Sequence, residues 1–401
     1  MASDKQDKVL NVPTLRFPEF TKNWECKCLY HFMTVNKDRN KDNIYSKDDV
    51  LSVSGELGIV NQIKLLGRSF AGKEVTDYHV VKTGDIVYTK SPLKEFPYGI
   101  IKLNRGEGGI VSTLYAVYET LENVDGRFIE YYFSSKDRIN RYLKPIVRIG
   151  AKHDMKIGNE EVLQNTIKIP SLQEQRRISD LLDLVCSRIK TQIRVIEDLK
   201  LYRNTLMLKL FAPKDGWAKT YIGDIASVVG GGTPDTNKKD YWDGNIQWFT
   251  PSEIGKDKYV MNSERTITQK GLDSSSAKLL PANSILLSTR ATIGECSIAK
   301  QECCTNQGFQ SLIAQGVNPE FLYYLIQTKK HDLLSKSCGS TFAEISANEV
   351  RKIVVHIPLT RKEQDIITIP LSLCDKKIEI EQTIQNLYLT QKQYLLKALF
   401  V

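Results

Sequence analysis

Residues Leu172 to Phe211 run for forty residues without a glycine or a proline. At about 1.5 Å per residue, one helix over this stretch is roughly 60 Å long. That is more than a single compact domain ordinarily uses. Apolar residues fall at Leu182, Val185, Ile189, Ile196, Leu199, Leu206 and Leu210, with polar Gln192 and Arg203 at two further positions of the same row. The three-and-four spacing draws one apolar seam and predicts a spacer helix that pairs with another helix.

The same stretch returns at the end of the chain. Ile169-Pro170 and Glu174-Gln175 reappear as Ile357-Pro358 and Glu363-Gln364. Ile178, Leu182 and Ile189 reappear as Ile367, Leu371 and Ile378, and Thr205 to Phe211 reappears as Tyr394 to Phe400. The second seam therefore takes Leu371, Ile378, Leu395 and Leu399. Solenoid repeats have periods of about 20–50 residues, far shorter than this one, so the pattern is a duplicated domain-plus-helix unit. The expected organisation is a flexible tail over 1–12, a globular domain over 13–170, a spacer helix over 171–212, a second globular domain over 213–358 and a second spacer helix over 359–401. Pro370 lies early in the last helix, where it is expected to kink the helix or delay its start.

With 401 residues and 41% hydrophobic content, the chain has ample material for two or three cores. It contains no apolar run of the roughly 18 residues that a membrane span needs. The charged opening MASDKQDK lacks the apolar core of a signal peptide, so a cytoplasmic location is expected. A net charge of +9 suits a polyanionic partner without demanding one. The eight cysteines show no C-x-x-C pair and no histidine pair at ligand spacing, which favours reduced thiols over zinc or disulfides.

Between the helices the pattern is mixed. Val50–Val53, Ile59–Leu66, Val80–Val81, Asp85–Thr89 and Ile110–Tyr118 read as strands, and Arg127–Tyr142 reads as one helix. Asn283–Thr289 parallels Gly84–Tyr88, and Phe321–Ile326 parallels Phe128–Phe133. Gly67–Lys73 fits G-x-x-x-x-G-K, but Glu74 stands where a phosphate-binding loop needs Ser or Thr. Gly230–Thr233 reads as a tight turn with positive φ angles, or as a phosphate cradle. No G-x-S-x-G, H-E-x-x-H or N-P-P-Y motif occurs, and Pro234-Asp235 is not followed within forty residues by D/E-x-K. The residues offer no catalytic constellation and no metal site.

One segment is specific. Gly232-Thr233-Pro234, then Tyr241-Trp242-x-Gly244-x-Ile246-x-Trp248 and Thr250-Pro251, resembles the signature of specificity subunits of type I restriction-modification systems. Leu15–Phe20 with Trp24 is similar to the usual opening of that family. Tyr78–Tyr88, Thr305–Phe309 and Ile357–Ile378 also fit it. Departures are Cys186 where the second helix has Asp375, Cys28–His31 where the second domain keeps Tyr221–Ile225, and Pro370.

The resemblance implies an α+β fold: two target-recognition domains of mixed sheet and helices, alternating with two long helices that pair as an antiparallel coiled coil with a pseudo-two-fold axis. It further implies that each domain reads one half of a split, asymmetric site in double-stranded DNA. The helices would set the half-site spacing and dock two modification subunits. Those subunits would methylate adenine with S-adenosylmethionine that they bind themselves, and restriction or translocase subunits with ATP and Mg would join. This chain would bind no cofactor and perform no chemistry. Loop residues whose chemistry suits bases and phosphates are Lys90, Ser91, Lys94, Arg148, Lys152 and His153 in the first domain. In the second they are Thr233, Arg290, Thr292, Asn306, Gln307, Ser340 and Thr341. Two other classes stay open: a coiled-coil scaffold with two protein-binding domains, and the remnant of a fused restriction-methylation enzyme.

Overall fold

The structure, a computed structural model, describes residues 12–93, 95–149, 155–290, 292–337 and 344–401. The tail expected over 1–12 lies almost wholly outside them. The chain divides into two compact units. The first comprises the residues up to Gln192 together with Gln385–Val401, and the second comprises Ile193–Ile384. The two long helices, Leu172–Leu210 and Arg361–Ala398, each contribute to both units. Among the described residues, no helix is long and apolar enough to cross a membrane.

In the first unit, Glu25–Cys28 pairs antiparallel with Thr166–Ile169, joining the start of the domain to its last strand. A four-stranded sheet then places Ala116–Thr120 and Ile86–Tyr88 between Met33–Val35 and Ile101–Leu103. Smaller pairs join Leu51–Ser54 to Gly58–Asn61 and His79–Val81 to Gly109–Val111. The helix expected over 127–142 is two helices, Gly126–Phe133 and Lys136–Leu143. They break at Ser134-Ser135, where serine favours a cap over a helix interior. The run expected as a strand over 59–66 turns into a short helix at Gln62, because the Asn61 side chain accepts from the amides of Ile63 and Lys64.

The second unit repeats the frame. Ala218–Tyr221 pairs antiparallel with Val354–Ile357. Its five-stranded sheet runs in the order 226–230, 310–314, 285–287, 296–299, 259–260. A three-stranded sheet sets Trp242–Phe249 between Arg265–Ile267 and Cys303–Thr305. Among named strands, parallel pairs occur in this unit only.

Three contacts recur in both units and seat each globular part on the helices. First, Gln175 Oε1 accepts from the Asp125 amide at 2.9 Å, and Gln364 Oε1 accepts from the Asn318 amide at 2.8 Å. Both glutamines are buried, and each ties a long helix to the residue that caps a short helix. Second, the Phe128 ring lies 5.1 Å from Phe400, and Phe321 lies 5.0 Å from Phe211. Third, the Tyr131 hydroxyl donates to Asp183 Oδ1 at 2.5 Å and lies 3.7 Å from Cys186 Sγ. Its counterpart, the Tyr324 hydroxyl, donates to Asp375 Oδ2 at 2.5 Å and lies 3.2 Å from Ser372 Oγ. The carboxylate has moved one helical turn along the helix, which accounts for Cys186 standing opposite Asp375 in the repeat.

Seam residues divide by depth. Leu182, Val185, Ile189, Ile196, Leu371, Ile378, Leu395 and Leu399 are buried. Leu199, Leu206 and Leu210 are only half-buried, and Met207 takes the core place beside Phe211. A straight helix of 3.6 residues per turn drifts by about 20° per heptad against a strict seven-residue pattern, so the seam shifts by one position. In the first unit Leu182, Val185 and Ile189 share a core with Leu395 and Leu399, and in the second Met207 shares one with Ile367 and Leu371. The start of each long helix thus lies beside the end of the other, which makes the pair antiparallel. Arg203, polar within the seam, donates to Asp375 Oδ1 at 2.6 Å. Pro370 does not delay the second helix, which begins at Arg361 on a Thr360–Glu363 cap.

Candidate nucleic-acid interface

In the second unit the glycine-rich run is a close backbone crossing. Gly230, Gly231 and Gly232 do not adopt positive φ, which corrects the expectation of a left-handed turn. A Cβ on Gly231 would meet the carbonyl oxygens of Thr305 and Asn306, and one on Gly232 would meet Ser276 and the Ala277 nitrogen. The glycines let this strand end pass against the Cys303–Thr305 strand, where the Gly232 amide donates to the Thr305 carbonyl at 2.8 Å. The Trp248 indole donates to the Gly232 carbonyl at 2.9 Å and packs edge-on against Trp242 at 5.1 Å. The Arg265 guanidinium covers Trp242 at 3.5 Å. The signature residues therefore build the frame of the loop.

That frame gathers several candidate residues on one edge. Thr233 Oγ1 donates to Gln307 Oε1 at 2.6 Å. Asn306 Oδ1 accepts from the Gly308 amide at 2.8 Å, and the Gly308 carbonyl accepts from the Thr289 amide at 2.8 Å, next to Arg290. Gln307, Arg290 and Thr292 are exposed, and Asn306 and Thr233 are half-buried. Thr292 Oγ1 donates to Ser288 Oγ at 3.1 Å. Arg290 pairs with Glu344 at 2.9 Å, both side chains more than 40% exposed. A pair this open is worth little and leaves the guanidinium available to another anion. Ser340 and Thr341 lie outside the described residues.

The first unit is arranged differently. Lys90 holds a left-handed φ of 48°, and its ammonium turns inward. It donates to the Ile157 carbonyl at 3.1 Å and to Asn159 Oδ1. Burial pushes this ammonium below its ordinary pKa. Ser91, beside it, is half-buried. Arg148 is exposed on a two-residue ladder and stands directly opposite exposed Lys156, a cation that sequence reasoning missed because only the pairing register reveals it. Lys94, Lys152 and His153 lie outside the described residues. Among the described residues, no group of three or more His, Cys, Asp or Glu could hold a metal ion.

Gly67–Lys73 is no nucleotide loop. The short helix Gln62–Leu66 precedes it and ends at Gly67, whereas a phosphate loop opens a helix.

Residues 214–387 match the family model described as the type I restriction modification DNA specificity domain. The type I restriction enzyme MjaIX specificity subunit of Methanocaldococcus jannaschii is 41% identical over 172 residues, 42% of this chain and 39% of that protein. A type I restriction enzyme specificity subunit of Escherichia coli is 30% identical over 186 residues, 43% of this chain and 45% of its own length. The chain thus spans less than half the length of these two relatives. The putative type I restriction enzyme MjaX specificity subunit of M. jannaschii matches more broadly, 23% identical over 91% of this chain and 89% of that protein. Among solved structures, a chain from work on complex assembly and conformational transition of the type I R-M system has a TM-score of 0.60 at 17% identity, covering 93% of this chain and 96% of that one. The type I restriction-modification S subunit from M. genitalium has a TM-score of 0.58 at 15% identity, covering 97% and 99%. These two likenesses carry the fold alone. Over residues 214–387 the chain resembles the type I restriction modification DNA specificity domain, and over most of its length it is similar to a putative specificity subunit.

Proposed function

We propose that this chain is the sequence-reading subunit of a type I restriction-modification complex, with each unit reading one half of a split site in double-stranded DNA. The observation that carries the reading is the duplication of the seating contacts. Two recognition bodies are held on the same helix pair by Gln175 and Gln364, Phe128 and Phe321, Tyr131 and Tyr324. Their surface loops have diverged meanwhile. One frame with two sets of loops suits the recognition of two different half-sites.

In the second unit Thr233, Asn306, Gln307, Arg290 and Thr292 would meet base edges and phosphates, and in the first Arg148 would do so. Lysines and arginines would supply the salt-dependent part of the affinity. The long helices, 39 and 38 residues, would fix the number of unread base pairs between half-sites.

The same reading assigns chemistry to partners. Ile366, Leu373, Ile380, Leu387 and Tyr394 recur at every seventh residue of the second long helix, and each is at least 54% exposed. A heptad row facing outward suits a partner helix. We assign it to a modification subunit, which would bring S-adenosylmethionine and methylate adenine in the cytoplasm. Restriction subunits with ATP and Mg would join the same assembly, and this chain would itself be non-catalytic.

The test is to remove seven residues from each long helix at matched positions and to assemble the complex. Each helix shortens by about 10 Å, the rise of about three base pairs. The recognised spacer should shorten while both half-site sequences persist. A change of half-site sequence would refute the ruler. Absence of salt-dependent DNA binding by the wild-type assembly would favour a protein scaffold instead.

A further inference from the structure

We infer that Lys90 is a positioning residue: its inward ammonium fixes the foot of a basic two-stranded ribbon, Arg148–Ile149 against Met155–Lys156, and so sets how the first unit meets its half-site. The inference rests on the proposal that this unit reads DNA.

The ribbon is poorly built to hold itself. Among the described residues it is a two-residue ladder that pairs Arg148 with Lys156 and, in backbone register, Ile149 with Met155. Like charges directly opposite one another destabilise an antiparallel pair. Both cations are exposed, as a phosphate contact requires. Among the described residues, support for the ribbon comes from the sheet beneath. The Lys90 ammonium binds the Ile157 carbonyl and the Asn159 side chain, directly after the ribbon's second strand. The Tyr118 hydroxyl donates to the Asn159 carbonyl at 3.1 Å, and the Tyr88 hydroxyl lies 3.9 Å from Met155 Sδ. These groups stand on the two central strands of the four-stranded sheet or just past their ends.

The backbone is shaped for this task. Lys90 sits at φ 48°, in the left-handed region that a residue with a side chain rarely adopts. Gly99 faces it: a Cβ there would come within 2.9 Å of the Tyr88 ring and 3.3 Å of the Lys90 nitrogen. The turn thus holds one non-glycine residue in the left-handed region, with a glycine leaving room opposite it.

The second unit repeats the device with other side chains. Its equivalent strand, Ile285–Leu287, begins after Asn283 at φ 69°, as Ile86–Tyr88 begins after Gly84 at φ 94°. Just past the strand end, the Ile345 amide donates to the Thr289 carbonyl at 3.2 Å, and Arg290 pairs with Glu344. In both units the residues after the central strand tether a later segment of the same domain.

The experiment uses the full chain assembled with its modification subunits, and reads both the methylated motif and the salt dependence of DNA affinity. Lys90→Met should leave the second half-site intact and make the first degenerate, with at least a tenfold loss of discrimination at one or more positions. Its salt slope should stay at the wild-type value, because Lys90 touches no phosphate. Lys156→Ala, in contrast, should reduce the slope by about one. Lys90→Arg should restore part of the discrimination. An unchanged motif with Lys90→Met would overturn the positioning role, and so would a slope reduced as in Lys156→Ala, since Lys90 would then be a direct contact. Should Lys90→Met fail to fold, Asn159→Ala removes the acceptor and is read by the same two measures. A wild-type complex that reads no split motif would overturn the proposed function itself, an outcome distinct from all of these.

Discussion

Replacing Gly231 with alanine should damage the second unit far more than replacing its neighbour Gly230. At Gly231 the added carbon meets two backbone carbonyls and stands 2.5 Å from Thr305 Oγ1, whereas ordinary contact begins at 3.4 Å. The partners are mostly backbone, so the strand end must retreat by about 1 Å, a displacement of the overpacking kind that costs about 1–3 kcal/mol. The retreat also pulls on the Gly232 amide bond to Thr305 and on the Trp248 indole bond to Gly232. Losing one such bond with its partner left buried adds about 1–3 kcal/mol, for a total of about 2–6 kcal/mol. At Gly230 the nearest atom is the Gln310 side chain at 3.7 Å, and φ is not positive. Gly230→Ala should therefore change stability by less than about 1 kcal/mol, in the stabilising direction through the unfolded chain. Urea unfolding followed by tryptophan fluorescence reports on this unit through Trp242 and Trp248. With a slope of about 2 kcal/mol per molar urea, the Gly231 variant should lose about 1–3 M in midpoint while the Gly230 variant holds. Equal midpoints for the two variants would refute the close-crossing account of the signature.

Acid should loosen the seating of the second unit. Burial raises the Glu320 carboxyl pKa, but hydrogen bonds from Tyr259, Lys258 and Ser372 outweigh it and hold the group at about 2. Its contribution is present above the ordinary glutamate range and is lost as pH falls towards about 2, so Glu320→Gln should flatten the acid limb of a melting-temperature profile. His79 works at higher pH: burial lowers its pKa to about 4, so the neutral ring's contribution is complete above about 6.5 and declines as pH falls to about 4. His79→Gln should remove that part of the profile. In the native chain a thiol reagent should reach exposed Cys26 before buried Cys303 and Cys304. Cys303 and Cys304 should stay unmodified, since burial pushes their thiols to about 12 and about 11. Mass spectrometry after timed alkylation reads the order.

Sequence patterning carried the long helices and the duplication well, because both rest on local signals. The glycine-free run, the Glu-Gln pair and the terminal phenylalanines are visible in one dimension and take up equivalent contacts in three. Patterning failed where a residue's role depends on a distant partner. Cys186 against Asp375 reads as a defect in the repeat until Tyr131 and Tyr324 show that the carboxylate has shifted to Asp183. Lys90 reads as a surface cation, but its hydrogen bonds go to residues nearly seventy positions later. Lys156 gains its meaning only from standing opposite Arg148. The one-position shift from Leu206 to Met207 follows from helix geometry that a fixed heptad template omits. Gly231 and Gly232 provide room for a close backbone crossing, which a turn signal in one dimension does not distinguish from conformational freedom.

The central claim is that this chain chooses the DNA sequence that its partners modify. A methyladenine map of the host genome, made with and without this chain, tests it most directly. One split motif should lose its methylation when the chain is removed, while the modification subunit remains expressed and active. An unchanged map under those conditions would contradict the claim.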